Sequence, residues 1–159
     1  MIVCTFAGHR EVYKANISER LDNAIEEVLT SGDCFCFLVG GMGDFDSLCA
    51  GAVRKAKRKH PEKQITLDLI LPYLTQKLNE SKDYYEQFYD NVVIPMELAD
   101  VHYKSAITKR NHWMVEQSNV IIAFVYRDFG GAFTTLKYAK KKGLQIINLA
   151  EERNNEEVP

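Results

Sequence analysis

The chain has 159 residues, of which 46% are apolar and 26% are charged, and its formal net charge at pH 7 is -2. A chain of this length can bury a hydrophobic core of its own, so it needs no metal ion or disulfide to fold. We expect one domain over residues 1–150 and an acidic, flexible tail over residues 151–159. The absence of an excess of Lys and Arg argues against nucleic acid as a partner.

No apolar run approaches the roughly 20 residues that a membrane-spanning helix requires, and the first apolar segment, residues 2–7, lacks the pattern of a signal peptide. We therefore predict a cytoplasmic protein that does not contact a membrane. The cysteines favour buried free thiols over a metal or redox site, because no second cluster of Cys and His accompanies them. They are Cys4, Cys34, Cys36 and Cys49. No cofactor and no bound metal are predicted.

Apolar strands and amphipathic helices alternate from the first residues onward. Residues 2–7 form a continuous apolar run typical of a buried strand, and apolar residues then recur at helical spacing over residues 17–28. A second apolar strand over residues 34–39 is followed by a helix over residues 48–59, which ends in basic residues where positive charge suits the helix dipole. A third strand over residues 65–71 ends at a proline.

The second half of the chain continues this alternation. The predicted elements are a helix over residues 75–90, a short strand over 92–94, a helix over 103–118, the most apolar strand over 120–125, a helix over 132–142 and a last strand over 144–149. Asn16 and Glu19 form a plausible capping pair for the first helix, and Gly143 is expected just beyond the end of the last one. Continuous apolar strands separated by helices are typical of a parallel sheet. The predicted fold class is therefore α/β, a Rossmann-like open, mainly parallel sheet with helices on both faces.

Three of the loops that follow predicted strands contain glycine. In an open parallel sheet, ligands bind beyond the carboxyl ends of the strands, and these loops share that edge. Glycine lets backbone N–H groups approach an anion, and the helix after each loop adds unpaired N–H groups and a positive dipole end. Phosphate suits such a place; the alternative is that the glycines only make tight turns and cap helices. The predicted ligand-binding residues of these loops are Gly8, Gly40, Gly41, Gly43, Gly130, Gly131, Thr134 and Thr135.

Charged side chains accompany the first two of these loops. Arg10 could clamp a phosphate, and His9 could hydrogen-bond a ligand or transfer a proton; the alternative is a surface arginine and a turn histidine. Asp46 is predicted either to cap the second helix or to bind ribose hydroxyls, and Asp44 could also act as a cap.

Arg110 and Asn111 lie in the helix before the most apolar strand. Asn111 falls in a stripe with Ile107, Met114 and Ser118 at helical spacing, so the helix is predicted to turn a polar side chain inward. Buried polar groups need hydrogen-bond partners. The pair therefore either closes an internal hydrogen-bond network or reaches the ligand pocket, and we favour the pocket.

Four segments, in this order, resemble the SLOG superfamily, which joins the Smf/DprA and Lonely Guy proteins, and most closely its YpsA-like branch. They are FAGHR (6–10), GGMGDFDSL (40–48), KRNHWMV (109–115) and GGAFTT (130–135), so the resemblance covers nearly the whole chain. It implies a Rossmann-like domain of a bacterial protein that binds nucleotides or nucleotide derivatives, often as a homodimer.

The resemblance leaves catalysis open. In the Lonely Guy phosphoribohydrolases, which cleave the N-glycosidic bond of nucleoside 5′-monophosphates, the motif reads PGGxGTxxE and follows an arginine-lysine pair. Here Phe129 replaces the proline, Phe133 replaces the later glycine, and Asn111 replaces the lysine. Leu136 and Lys137 occupy the positions of the acidic residues. Hydrolysis needs a carboxylate to stabilise the ribosyl centre or to activate water, and the expected one is missing.

We therefore predict a nucleotide-binding or nucleotide-sensing protein with a phosphate site at the carboxyl edge of the sheet. One alternative is an N-glycosidase that uses a carboxylate outside the family motif, for which Glu116 and Asp128 are the nearby candidates. A second alternative is a regulatory scaffold that binds a protein partner through its tyrosine-rich middle segment. Those tyrosines are Tyr73, Tyr84, Tyr85, Tyr89 and Tyr103.

Overall fold

The structure, a computed structural model, describes residues 1–10, 16–76 and 80–151. The strands are β1 (Ile2–Gly8), β2 (Cys34–Val39), β3 (Gln64–Ile70), β4 (Asn91–Val93), β5 (Val120–Phe124) and β6 (Gln145–Asn148). The helices are α1 (Ile17–Leu29), α2 (Gly43–Lys59), α3 (Lys82–Phe88), α4 (Tyr103–Glu116) and α5 (Gly131–Lys141), with a 3-10 helix at Met96–Leu98. Residues 152–159 of the predicted tail and residues 77–79 of the predicted middle helix lie outside the described residues.

The six strands form one sheet in the order β4-β3-β2-β1-β5-β6, and every neighbouring pair is parallel. The prediction of a Rossmann-like α/β sheet is confirmed. Strands β2 to β4 are added outward on one side of β1, whereas β5 and β6 lie on its other side. The loops after β1 and β5 therefore diverge to opposite faces, and this switch in strand order opens a crevice between them.

Helices cover both faces of the sheet. Alternate strand residues such as Phe37 and Ile122 belong to the core cluster that contains α1 and α2. Their neighbours, including Ile121 and Ala123, pack with α5 and the end of α4 on the opposite face. A strand buried on both faces reads as a continuous apolar run, which is why β1, β2 and β5 were predictable from composition alone.

The predicted capping of the first two helices is wrong. Asn16 precedes α1 with φ +65° and makes no side-chain cap, because its left-handed backbone turns the side chain away from the first-turn N–H groups. Helix α2 begins at Gly43, well before the predicted start, so Asp46 lies inside the helix and is not its cap. Asp44 also lies inside the helix, in its first turn. Gly143 does follow α5 with φ +80°, as predicted.

No helix within the described part of the chain is long and apolar enough to span a bilayer. All four cysteines are free thiols, and Cys4, Cys36 and Cys49 are buried. Burial raises the pKa of the Cys36 thiol to about 11, which keeps it protonated and unreactive at neutral pH.

Candidate functional site

A cavity of about 530 Å³ opens at the carboxyl edge of the sheet, between the loops that follow β1 and β5. Helices α2, α4 and α5 contribute the remaining walls. Most of the predicted site residues meet here: Gly8, His9, Arg10, Asp46, Arg110, Asn111, Gly130, Gly131 and Thr135 line the cavity. Four others, Gly40, Gly41, Gly43 and Thr134, do not line it.

Arg110 is a buried cation whose hydrogen-bond partners among the described residues are all neutral. It is 2% exposed, and its Nη1 donates to the carbonyl oxygens of Gly40 (3.0 Å) and Ile70 (2.9 Å). Its Nε donates to Asn111 Oδ1 (2.9 Å), and its Nη2 lies 3.8 Å from Met42 Sδ. No carboxylate of the described residues lies within 4.0 Å of the guanidinium. The two predictions for this pair thus coincide, because the network it closes is also a wall of the cavity.

Asp46 faces the same cavity from α2. Its Oδ2 accepts a hydrogen bond from the Met42 backbone N–H (2.9 Å), so the side chain ties the residue before the helix to the first turns. Burial raises the pKa of Asp46, opposed by that N–H and by the charges of Arg110 and Arg10. Contact between Asp46 and ribose hydroxyls stays a prediction.

His9 positions the loop that follows β5. The side chain is 7% exposed, and its Nε2 accepts hydrogen bonds from the backbone N–H groups of Tyr126 (3.2 Å) and Arg127 (3.4 Å). Its ring also packs edge-on against Tyr126, with 4.4 Å between the ring centroids. Burial lowers the pKa of His9, and the charge of Arg127 lowers it further. The imidazole is therefore neutral at pH 7 and acts as an acceptor for the loop.

This arrangement predicts that His9 makes stability depend on pH. Because the pKa of His9 in the folded chain lies below its ordinary value of 6.5, the stabilising contribution is complete above pH 6.5 and declines as pH falls toward the lowered pKa. The amide of His9→Gln can accept the same N–H groups but does not titrate. We expect urea unfolding between pH 5 and 7.5 to show a shallower loss of stability for His9→Gln than for the wild type.

The other histidine with a lowered pKa, His112, is present in both proteins, so the difference between the two curves isolates His9. If the stability of the two proteins changes in parallel with pH, the titration of His9 does not contribute to the stability of the loop.

The glycines at the ends of β1 and β2 allow close packing. A Cβ built on Gly8 would lie 2.2 Å from the Phe45 ring, and one built on Gly40 would lie 2.9 Å from Arg110 Cζ. Gly8 thus lets α2 approach the sheet, and Gly40 makes room for the buried guanidinium. Close packing, rather than the tight turn or helix cap of the alternative prediction, explains these two glycines, and ligand contact at either position stays a prediction.

The glycines at the start of α5 differ, because they face open space. Gly130 has φ +93° and ψ 177°, a conformation that favours glycine, and it precedes the helix as its N-cap residue. A Cβ on Gly130 or Gly131 would meet no atom within 4 Å. The backbone at the amino end of α5 is therefore accessible from the cavity, which is what anion binding at a helix N-terminus requires.

The threonine hydroxyls of α5 bond back to their own helix. Thr134 Oγ1 donates to the Gly130 carbonyl oxygen (3.0 Å), and Thr135 Oγ1 donates to that of Gly131 (2.9 Å). Each hydroxyl can still accept a hydrogen bond but has its proton engaged. Only Thr135 lines the cavity.

Sequence reasoning missed Arg127 and Phe129, which line the cavity from the loop after β5. The Arg127 guanidinium carbon lies 5.1 Å from the ring centroid of Tyr126 and 5.9 Å from that of Phe129. Phe129 is 64% exposed. The available signal was a cation flanked by two aromatic residues just before a glycine pair, which a search for glycines alone passes over.

The carboxylates proposed as substitutes for a Lonely Guy acid do not reach the cavity. Glu116 accepts a hydrogen bond from the Tyr138 hydroxyl (3.1 Å), and neither Glu116 nor Asp128 lines the cavity. Leu136 is buried in the core beneath α5, and Lys137 is exposed. Among the described residues that line the cavity, Asp46 is the carboxylate that could take part in catalysis.

Solved structures with this fold come from proteins with different roles. DNA processing protein A (DprA) from Streptococcus pneumoniae aligns with a TM-score of 0.63 and 13% identity over 91% of this chain, which spans only 49% of that protein. DNA processing protein A from Helicobacter pylori, described in its single-stranded DNA binding mode, gives 0.60 and 15%, covering 99% of this chain and 71% of that one. The molybdenum cofactor carrier protein from Chlamydomonas reinhardtii gives 0.59 and 14%, covering 98% and 80%. No family profile and no curated protein sequence matches the chain.

The prediction against nucleic acid as a partner was wrong. The Helicobacter pylori protein has this fold and binds single-stranded DNA, and attraction for a polyanion depends on where charges lie rather than on their sum. This chain has a net charge of -2, yet its cavity is lined by Arg10, Arg110 and Arg127 with Asp46 as the described acidic residue. A local excess of positive charge thus coexists with a weakly acidic chain.

At identities of 13% to 15% these alignments report a shared fold and leave ligands undetermined. The YpsA-like branch, like the bacterial origin and the homodimer, therefore stays a prediction. The chain shares the fold of DNA processing protein A, as the resemblance to the SLOG superfamily predicted.

Proposed function

We propose that this protein binds a phosphate-bearing, nucleotide-like ligand in the cavity between the β1 and β5 loops. The observation that carries the proposal is Arg110, a guanidinium that is 2% exposed, lines the cavity and has only neutral hydrogen-bond partners among the described residues. Asp46 attracts Arg110, but no ion pair within 4.0 Å joins these two described residues, so the cost of burying the cation is only partly offset. An anion in the cavity offsets the remaining cost by adding negative charge.

The surroundings of Arg110 support an anionic ligand. Arg10 and Arg127 line the same cavity, and with Asp46 as the acidic group the four side chains sum to two positive charges. The open backbone at Gly130, at the start of α5, adds a positive helix end. A phosphate ester matches this charge and also accepts the forked hydrogen bonds that arginine donates.

A nucleotide within a single strand of nucleic acid is the second candidate ligand. The Helicobacter pylori protein of the same fold is described with single-stranded DNA. Two exposed aromatic side chains, Tyr126 at 45% and Phe129 at 64%, flank Arg127 beside the cavity. Aromatic platforms next to cations are the usual means of holding unpaired bases. A free nucleotide and a strand share the same binding unit, and they differ in how far binding extends beyond the cavity.

A thermal-shift screen tests both candidates. The panel contains nucleoside mono-, di- and triphosphates, ADP-ribose, nicotinamide dinucleotides, cyclic nucleotides and a single-stranded oligothymidylate. Ligand at 100 times its dissociation constant adds about 2.7 kcal/mol of stability, which corresponds to several degrees for a domain of this size. A rise with mononucleotides alone supports a small-molecule site, and a rise only with the oligonucleotide supports strand binding. If no compound raises the melting temperature, the proposal is overturned.

Chromatography of the same mixtures reports whether free base is released, as an N-glycosidase requires.

Replacing Arg10 by alanine is expected to weaken binding of the ligand selected by that screen by about 1.5 to 3 kcal/mol, the range of a charged hydrogen bond. Arg10 is exposed and lines the cavity. Isothermal titration calorimetry measures the change. Arg58→Ala is the matched control, because Arg58 is also exposed but belongs to the last turn of α2, at the far end of the helix. Equal affinities for the two variants would remove Arg10 from the site.

A further inference from the structure

We infer that Phe129 is the residue on which the ligand stacks a planar aromatic ring, so that a nucleobase, rather than a sugar phosphate alone, completes the ligand. This inference rests on the proposed function, because it describes the second half of the same ligand. Phe129 lines the cavity and leaves 64% of its surface exposed.

Packing does not account for Phe129. In the same segment, Phe133 packs against the core beneath α5, whereas Phe129 belongs to none of the core clusters of the described residues. A single exposed aromatic residue is common on protein surfaces and by itself indicates nothing. Phe129 differs because it forms part of a cavity wall and lies beside a cation, with the Arg127 guanidinium carbon 5.9 Å from its ring centroid.

The loop that carries Phe129 is anchored close to the ring. His9 Nε2 accepts hydrogen bonds from the backbone N–H groups of Tyr126 and Arg127, and Gly130, the N-cap residue of α5, directly follows Phe129. Phe129 therefore sits between two fixed points of the backbone. An aromatic side chain on an anchored loop loses little freedom when a base stacks on it, which favours binding.

The size and lining of the cavity fit a ligand of two parts. Its volume of about 530 Å³ falls within the range of pockets that enclose whole small molecules and is many times the ~30 Å³ of one water molecule. The arginines supply the anion site, and Phe129 supplies an apolar surface. Stacking contacts the face of a base and not its hydrogen-bonding edge. The site should therefore accept several bases and prefer purines, whose larger rings cover more of the phenyl group.

Calorimetric titration of AMP, CMP and ribose 5-phosphate into the wild type, Phe129→Ala and Phe129→Trp tests the inference. We expect Phe129→Ala to weaken AMP binding roughly 5- to 100-fold, the range measured for base stacking. Its affinity for ribose 5-phosphate should stay within twofold of the wild type. Phe129→Trp should retain AMP binding. The matched control is Phe88→Ala, because Phe88 also lies beside a guanidinium, 5.3 Å from Arg54 Cζ, but does not line the cavity.

The outcomes separate the two proposals. If the wild type binds ribose 5-phosphate as tightly as AMP, or if Phe129→Ala weakens both equally, the stacking inference is overturned while the phosphate site stands. If the wild type binds neither these three compounds nor any member of the thermal-shift panel, the proposed function fails and the inference fails with it. Selective loss of oligothymidylate binding in Phe129→Ala, with no binding of AMP, supports stacking and assigns the base to a strand.

Discussion

Arg110→Met is expected to lower the affinity for the phosphate-bearing ligand at least 100-fold, about 2.7 kcal/mol, while the unliganded protein stays folded. The guanidinium is 2% exposed, so water screens its attraction for an anion far less than it screens the attraction of a surface arginine. Methionine keeps an unbranched apolar stem, shorter than the side chain of arginine, but has no charge and no donor. Calorimetric titration measures the affinity, and urea unfolding measures the stability without ligand.

Two opposing effects keep the loss of unliganded stability small. The carbonyl oxygens of Gly40 and Ile70 lose their donor, which costs about 1 to 3 kcal/mol for each unsatisfied group. Removal of the buried charge returns several kcal/mol of desolvation cost, less the attraction between Arg110 and Asp46. We therefore expect a net change of at most about 2 kcal/mol, in contrast to the large loss of affinity. Arg58→Met, at an exposed position of α2, is the control for both measurements. Full affinity in Arg110→Met would contradict the role of Arg110 as the anion-binding charge.

Most of the fold could be predicted because its information is local. The β2 prediction over residues 34–39 coincides with the observed Cys34–Val39, since a strand buried on both faces must be apolar throughout. The start of α2 could not be predicted from local signals. Its first turn is held by the Asp46 side chain, which accepts from the Met42 N–H, and by the Arg10 carbonyl oxygen, which accepts from the Asp44 N–H. Because Arg10 lies in another loop, neither helical periodicity nor a capping pattern in the local sequence predicts this hydrogen bond.

The location of the candidate site could be predicted from the sequence, but the roles of its individual residues could be predicted less well. Parallel strands bring their carboxyl ends to one edge, so the convergence of the β1 and β5 loops followed from the strand pattern. The roles depend on partners that are distant in sequence. Arg110 bonds to carbonyls 40 and 70 residues away, and His9 accepts from N–H groups 117 and 118 residues away. The sequence predicted His9 either as a ligand contact or as a turn residue. Its Nε2 accepts hydrogen bonds from the loop that carries Arg127 and Phe129, and ligand contact stays a prediction.

Gly8→Ala is expected to destabilise the protein by about 3 kcal/mol, at the upper end of the range for overpacking a core. The added Cβ would lie 2.2 to 2.8 Å from three carbons of the Phe45 ring. Phe45 is 1% exposed and stacks on Phe124, with 6.2 Å between the ring centroids, so the ring has no free space to retreat into. Either α2 moves away from the sheet or the aromatic stack is disrupted. Urea unfolding at pH 7.5 measures the loss.

Two further variants separate this clash from a general effect of alanine. Gly51→Ala makes the same change on the exposed side of α2, where an added Cβ meets no atom within 4 Å, and should stabilise the protein by about 0.5 to 1 kcal/mol. Phe45→Leu shortens the side chain that Gly8→Ala would strike. The double variant Gly8→Ala/Phe45→Leu should therefore be more stable, by at least about 1 kcal/mol, than the sum of the losses in Gly8→Ala and Phe45→Leu implies. If the losses of stability in the two single variants simply add, Gly8→Ala destabilises the protein for a reason other than contact with the Phe45 ring. Close approach of α2 to β1 would then not explain why residue 8 is glycine.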